Sequence, residues 1–348
     1  SFAPMMWSPI ANNIVVIGVF GYALATFHAL TTKTITESQI ALLGWGTTAG
    51  IVVQALIMVP VVRRSGIRLK MIFGLKGLGK SFSLAAWTLV YVLISQLGYL
   101  ITVNVATSAA VRSAKAGIST GVGFTPYSNA YLIMLLPYSI VTISIVTALL
   151  PHLSRLAIAK KVDEVKDQLV NAIKIVGVVT IPSAVAFFFF GPLITEVLFV
   201  GISLQDARYI GLVLSALSFG LVAFSINLVL IRGFNAFEDT RTQVVSIFVI
   251  NLISVALSYI FLATLESRYV TIGLGGAFSA SYLVGLFLTL SLLKKHIGKL
   301  SIKSFLPQHL KLLIAAFIAI FPLWLLSHFL KWSTTETSLG IRAGRLLL

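Results

Sequence analysis

The chain has no cysteine, so disulfide cross-links and thiolate metal sites are both excluded. Acidic residues are almost as scarce. Ten Asp and Glu stand among 348 residues, and charged side chains of both signs make up 10% of the sequence, against about 25% in soluble domains. A chain this poor in charge could not clothe a surface facing water, and hydrophobic residues reach 58%. The acids lie mostly at loop positions, with only Glu196 at appreciable depth, so a carboxylate relay has little to work with. The five histidines, His28, His152, His296, His309 and His328, are scattered singly near the ends of apolar runs. None stands at ligand spacing to a carboxylate, which leaves no metal site and no cofactor to expect.

What the chain does have is length without charge. Nine apolar stretches run over about 9–30, 40–62, 82–108, 129–150, 173–199, 209–231, 243–264, 272–293 and 310–330. Each is long enough to cross a hydrocarbon core of roughly 30 Å at about 1.5 Å rise per residue. The predicted fold class is therefore all-α, a polytopic transmembrane helical bundle of nine spans. The formal charge of +16 could suggest nucleic acid, but the basic residues are distributed over short loops rather than gathered in one patch. If the spans alternate in direction, sixteen Lys and Arg fall on one side, among them Arg63, Arg64, Lys70, Arg155, Lys160, Arg232, Arg241, Lys294 and Lys295. Six, namely Lys33, Arg112, Lys115, Arg208, Arg268 and Lys331, fall on the other. The positive-inside rule makes the first side cytoplasmic.

An internal repeat organises these spans. SPIANNIVVIGVF followed by GWGTTAGIVVQALIMVPVVRRSGI is echoed by SIFVINLISVALSYIF followed by GGAFSASYLVGLFLTLSLLKKHIG. Asn13 corresponds to Asn251, and Gly44 precedes Arg63 and Arg64 at the distance by which Gly275 precedes Lys294 and Lys295. Copies six helices apart share an orientation, as in transporters built from two lobes related by an axis along the membrane normal. The expected division is 1–66 for the last two helices of a first lobe, 67–81 for a basic amphipathic linker, 82–298 for a second lobe of six helices, and 299–348 for an additional helix and the start of another. Within the linker, Gly74, Gly79, Lys80 and Ser81 match the spacing of a phosphate-binding loop. The next helix enters a membrane and no Asp ends an apolar run, so the linker reads as an interfacial hinge with Lys70, Lys76 and Lys80 on anionic headgroups.

The stretch from Asn129 to Lys161, NAYLIMLLPYSIVTISIVTALLPHLSRLAIAKK, carries most of the functional signal. Pro137, Ser144, Thr147, Pro151 and Ser154 succeed one another at spacings of seven, three, four and three, which places them along one helical face among Leu, Ile and Val. Prolines within a span are tolerated where a cavity or a neighbour satisfies the freed carbonyl. Asn104 and Asn227 also lie inside apolar helices and should face a cavity or a neighbouring helix. Arg232, Glu238, Asp239 and Arg241 cluster at a cytoplasmic junction, either as a gate whose ion pairs exchange or as a solvated turn.

The LP, the polar-spotted helix and TALLPHLSRLA resemble the eighth helix of the MurJ/MviN family, lipid II flippases of the multidrug/oligosaccharidyl-lipid/polysaccharide exporter superfamily. SFAPMMWSPIANN, TTAGIVVQALIMVPVVRRSGI and LIRGFNAFEDTRTQVV extend the resemblance over nearly the whole chain, as helices five to thirteen of fourteen. The resemblance implies a two-lobed exporter that moves lipid-linked peptidoglycan precursor across the bacterial cytoplasmic membrane by alternating access, without chemistry. Its implied partners are a lipid-linked anionic substrate, membrane lipids and cell-wall synthesis proteins, with no nucleic acid. Thr125 and Asn129 fall where the family's cavity is lined, beside Asn104, Pro137 and Ser144. Many members carry Arg, and three residues later Glu, where this chain has Leu132 and Leu135, so Arg112 and Lys115 in a long outer loop are candidates for replacement charge. Gln243 stands where the family usually has proline, which should weaken the start of the eleventh helix. The alternatives are a related exporter of polysaccharide lipids or drugs, and a membrane scaffold without transport.

Overall fold

A computed structural model describes residues 3–27, 35–64, 79–118 and 121–329. They form ten α-helices: α1 (Ala3–Thr26), α2 (Glu37–Arg64), α3 (Gly79–Lys115), α4 (Phe124–Pro137), α5 (Ile143–Ile158), α6 (Val162–Leu198), α7 (Leu204–Ala236), α8 (Thr240–Thr264), α9 (Ser267–Ile297) and α10 (Leu306–Phe329). A π turn, Tyr138–Thr142, joins α4 to α5. No strand occurs among the described residues, and nine spans there are long and apolar enough to cross a membrane, α4 and α5 counting as one. The protein is multi-pass.

Several helices outrun the apolar stretches that announce them. α3 and α6 have 37 residues each, about 55 Å, well beyond a roughly 30 Å hydrocarbon core. Sequence reading stops such a span at its first charges. In α6 the charged turn is nonetheless amphipathic, because Asp163 and Glu164 occupy the first turn while Val165, Leu169 and Val170 are buried. α3 likewise continues through Ala109, Ala110, Arg112 and Lys115, so the last two are helical and not in a loop. Cations in a last turn complement the helix dipole.

The chain divides into two compact units, Ser1–Lys76 and Gly77–Leu348. The linker expected over 67–81 lies outside the described residues as far as 78, as do His28, Lys33, Lys331 and the terminal stretch expected to begin another helix. In the first unit α1 and α2 pack as a hairpin, with Gly50 against Asn12. In the second unit α8 and α9 pack in the same way, with Gly285 against Ile250. Asn12 adjoins Asn13, and Ile250 adjoins Asn251, the asparagine that the repeat aligns with Asn13.

α7 is the axis of the second unit, apolar all round and enclosed by neighbours. One core cluster lies around Val146, Leu153, Ile173, Leu230, Phe234 and Leu293, from α5, α6, α7 and α9. The other lies around Val105, Met134, Leu214, Leu217 and Leu274, from α3, α4, α7 and α9. Small residues let backbones approach closely where apolar driving force between helices is missing. A Cβ on Gly220 would stand 2.7 Å from Ser279 Cα, and the Ser279 hydroxyl donates to Ala216 O at 2.7 Å. Across α6 and α7, Thr195 Oγ1 donates to Ala207 O at 2.7 Å. Glu196, 3% exposed, accepts from Arg208 Nε across the α6–α7 turn.

Candidate functional site

The span predicted to carry function is broken in its middle. Pro137 has no amide hydrogen for the carbonyl one turn earlier, and the backbone answers with the π turn directly after it. An inserted π residue rotates the rest of the helix about its axis, so Pro137 and Ser144 no longer share a strict line, whereas Ser144, Thr147 and Pro151 remain on one face. That face is uncovered within the unit: all three are exposed, while Val146, Leu149, Leu153 and Leu156 turn inward to the core. Ser144 and Thr147 return their hydroxyls to Ile140 O and Ile143 O at 2.8 Å, leaving oxygen lone pairs outward. At the N-terminal end Gly123 caps α4 at φ 136°, a left-handed value that only glycine takes without strain. Thr125 is exposed and Asn129 half-buried on the first two turns of α4.

Beside this surface α3, α4, α8 and α9 enclose a cavity of about 450 Å³, within the roughly 300–1,000 Å³ range of small-molecule sites. Aromatic rings make most of its wall. Tyr127 and Tyr131 lie parallel at 6.3 Å, Tyr131 meets Phe278 edge-on at 5.8 Å, and Phe278 packs on Tyr282 at 4.7 Å. Tyr99 meets Phe124 edge-on at 5.7 Å. Asn251, Ser254, Ser128 and Thr102 supply polar edges, and no charged residue lines the cavity among the described residues. Gly98 makes room for the Asn251 amide here, because a Cβ would collide with its oxygen and displace the side chain. Leu132 stands at the rim, 61% exposed. Sequence reading passed over this cavity because its rings come from separate helices. The available signal was the i, i+4 spacing of Tyr127 with Tyr131 and of Phe278 with Tyr282.

The other predicted residues are dispersed. Asn104 is exposed on α3, while Asn227 is buried in α7 with neither amide atom hydrogen-bonded. Lys115 is exposed in the last turn of α3. Arg112 Nη2 donates to Leu262 O at 2.6 Å, capping the C-terminal end of α8; its charge is engaged with a helix terminus.

The cluster predicted to be cytoplasmic has partners that its sequence does not suggest. Asp239 accepts from the Thr242 amide and hydroxyl at 3.0 and 2.7 Å, which makes it the N-cap of α8 and supplies the firm start expected to be lacking at Gln243. Its other partner is His296 of α9, at 2.7 Å, whose ring stacks on Phe237 at 4.9 Å. Burial acts to raise the Asp239 carboxyl, but the bonds from Thr242 and His296 outweigh it and hold the group below its ordinary value. Arg241 lies over the Trp87 ring of α3 at 5.6 Å. Glu238 is exposed at φ 56°, ending α7. Arg232 is half-buried, electrostatically coupled to Tyr91 and Tyr138, and its Nε has no hydrogen-bond partner. Asp239 thus pairs with a histidine 57 residues away and with neither arginine of the cluster.

A family model described as "MurJ: Lipid II flippase MurJ" matches residues 1–341. A "Probable lipid II flippase MurJ" of Rhizobium meliloti (strain 1021) is 28% identical over 248 residues, 68% of this chain and 42% of that protein. A "Lipid II flippase MurJ" of Burkholderia cenocepacia is 26% identical over 279 residues, 79% of this chain and 51% of that protein. The chain therefore spans about half the length of these relatives. Among solved structures, a lipid II flippase MurJ in an inward closed conformation superimposes with a TM-score of 0.66 at 20% identity, over 98% of this chain and 63% of that one. A MATE in the straight conformation gives 0.54 at 18% identity, over 83% and 63%. At these identities the superpositions establish the fold that the two share with this chain.

Proposed function

Because the chain belongs to the MurJ lipid II flippase family, we propose that it forms part of a protein that moves lipid-linked peptidoglycan precursor, lipid II, from the inner to the outer leaflet of the bacterial cytoplasmic membrane. The observation that carries this reading is the family match over residues 1–341. Transport by alternating access requires a polar surface that shields the headgroup from hydrocarbon and a place for the surface to bend. The uncovered face of α5 with Ser144 and Thr147 meets the first need, with Thr125 and Asn129 on α4 and Asn104 on α3 as separate polar candidates, and Pro137 with its π turn meets the second. Lys115, exposed in the last turn of α3, is an outer cation available to the substrate, and Arg112 serves α8. At the cytoplasmic end Arg232, with an unsatisfied Nε, and the Asp239–His296 pair are the elements of the gate. The protein breaks no bond in its substrate.

The MATE likeness favours a second reading, an exporter of another cargo. A cationic drug would call for acids, and none lines the cavity among the described residues. Replacement of the full-length protein under conditional depletion tests the proposal. Precursor should accumulate inside on depletion and become accessible outside when the protein is restored. Restored export of another polyprenyl-linked glycan, with peptidoglycan precursor still trapped inside, would contradict it.

A further inference from the structure

The aromatic cavity is polar without charge among the described residues. Asn251 gives its amide hydrogen to Ile247 O at 2.9 Å, which leaves its Oδ1, facing Gly98, as a free acceptor. Among the described residues the hydroxyls of Tyr131, Tyr282 and Ser254 make no hydrogen bond either. Flat ring faces, and hydroxyl and amide groups waiting for partners, thus converge near the middle of α8 and α9.

Three classes of occupant fail on this chemistry. A phosphate needs a cation, and none of the described residues lining the cavity is one. An organic cation needs more than ring faces when it leaves water, and none of the described residues lining the cavity carries a carboxylate. An isoprenoid tail would bury the amide and hydroxyls without partners, at a cost of roughly 1–3 kcal/mol each. A neutral pyranose satisfies the set: its axial C–H face packs on an aromatic ring, and its hydroxyl and acetamido groups exchange hydrogen bonds with Asn251, Ser254 and the tyrosines.

We propose that this cavity is a saccharide subsite in which Tyr131 and Tyr282 pack against a sugar ring of the substrate headgroup while Asn251 and Ser254 read its polar edge. The subsite rests on the flippase reading and adds to it a basis for selectivity: this lobe recognises the glycan portion, and the pyrophosphate is held elsewhere. Leu132, at the rim where many family members have Arg, accords with an uncharged contact here.

The test uses the full-length protein in nanodiscs and three probes: undecaprenyl pyrophosphate, the same lipid bearing one N-acetylated hexosamine, and the lipid bearing two. Binding is read by thermophoresis. Wild type should prefer the sugar-bearing lipids, and Tyr131→Leu should lower affinity for them by about tenfold while leaving the sugar-free lipid within about twofold. Tyr131→Phe should keep most of the preference, because the ring remains. Tyr99→Leu at the exposed rim, checked like the others by gel filtration and thermal unfolding, guards against loss through misfolding, and should weaken the same two lipids. Equal affinity of wild type for all three probes, or an equal loss for all three in Tyr131→Leu, would overturn the subsite and leave the flippase reading standing. Failure of wild type to bind any of the three would count against the flippase reading and the subsite together.

Discussion

Gly220→Ala and Gly276→Ala are the same chemical change on two helices of one unit, yet they should move stability in opposite directions. A Cβ on Gly220 would meet Ser279 Cα at 2.7 Å, Ser279 Oγ at 2.9 Å and Phe278 Cδ1 at 3.1 Å, where ordinary contact begins at 3.4 Å. The nearest of these atoms is backbone, so no rotamer absorbs the clash and α9 must withdraw by about 0.7 Å. That withdrawal stretches the Ser279–Ala216 hydrogen bond, 2.7 Å in the native packing, to about 3.4 Å and forfeits roughly 0.6 kcal/mol. Overpacking adds roughly 1–3 kcal/mol and better helix propensity returns about 1, for a net destabilisation of about 0.6–2.6 kcal/mol. A Cβ on Gly276 meets nothing within 4 Å, so that variant keeps only the propensity gain of up to about 1 kcal/mol. Thermal unfolding of the purified full-length protein in one detergent should show Gly220→Ala several degrees below wild type and Gly276→Ala level with it or slightly above. Shifts of the same sign and size would refute the claim that α7 and α9 pack backbone to backbone at this point.

The charged pairs lead to two further outcomes. Glu196→Ala should destabilise by about 1–3 kcal/mol, less than for a fully buried pair because Arg208 is partly exposed, and Glu196→Leu with Arg208→Leu should recover most of the loss in the same melt. Asp239→Ala should cost about 1–2 kcal/mol at neutral pH through loss of the α8 cap and the His296 bond. Since the folded carboxyl titrates below its ordinary value, this advantage is fully present above about pH 4 and disappears as pH falls through the lowered value. Proteolysis of wild type and variant across that range should converge only in acid; convergence at neutral pH would show that Asp239 is not held as described.

The spans were legible because length and absence of charge are local properties, and each predicted stretch overlaps one of the nine spans found among the described residues. Their ends were less so, since the charged turns of α3 and α6 remain helical through amphipathic burial that a hydropathy limit cuts away. The polar face of α5 could be read from spacing alone, but the π turn that displaces Pro137 from it depends on how a backbone absorbs one missing donor. Contacts between distant residues stayed hidden. Nothing near Asp239 announces His296, and nothing near Arg112 announces the carbonyl of Leu262. The aromatic cavity shares this property, because tyrosines on α3, α4 and α9 look like ordinary membrane aromatics until the helices are assembled.

The natural lack of cysteine in this chain makes the central claim directly measurable. In a cysteine-free full-length protein serving as the cell's lipid II flippase, Ser144→Cys and Val146→Cys place a thiol on the uncovered and the buried face of α5. A membrane-permeant maleimide should modify the first and spare the second, and outer-leaflet precursor should collapse only in cells carrying the first. Complete modification at position 144, with precursor still reaching the outer leaflet at the unmodified rate, would show that the headgroup does not pass along this face.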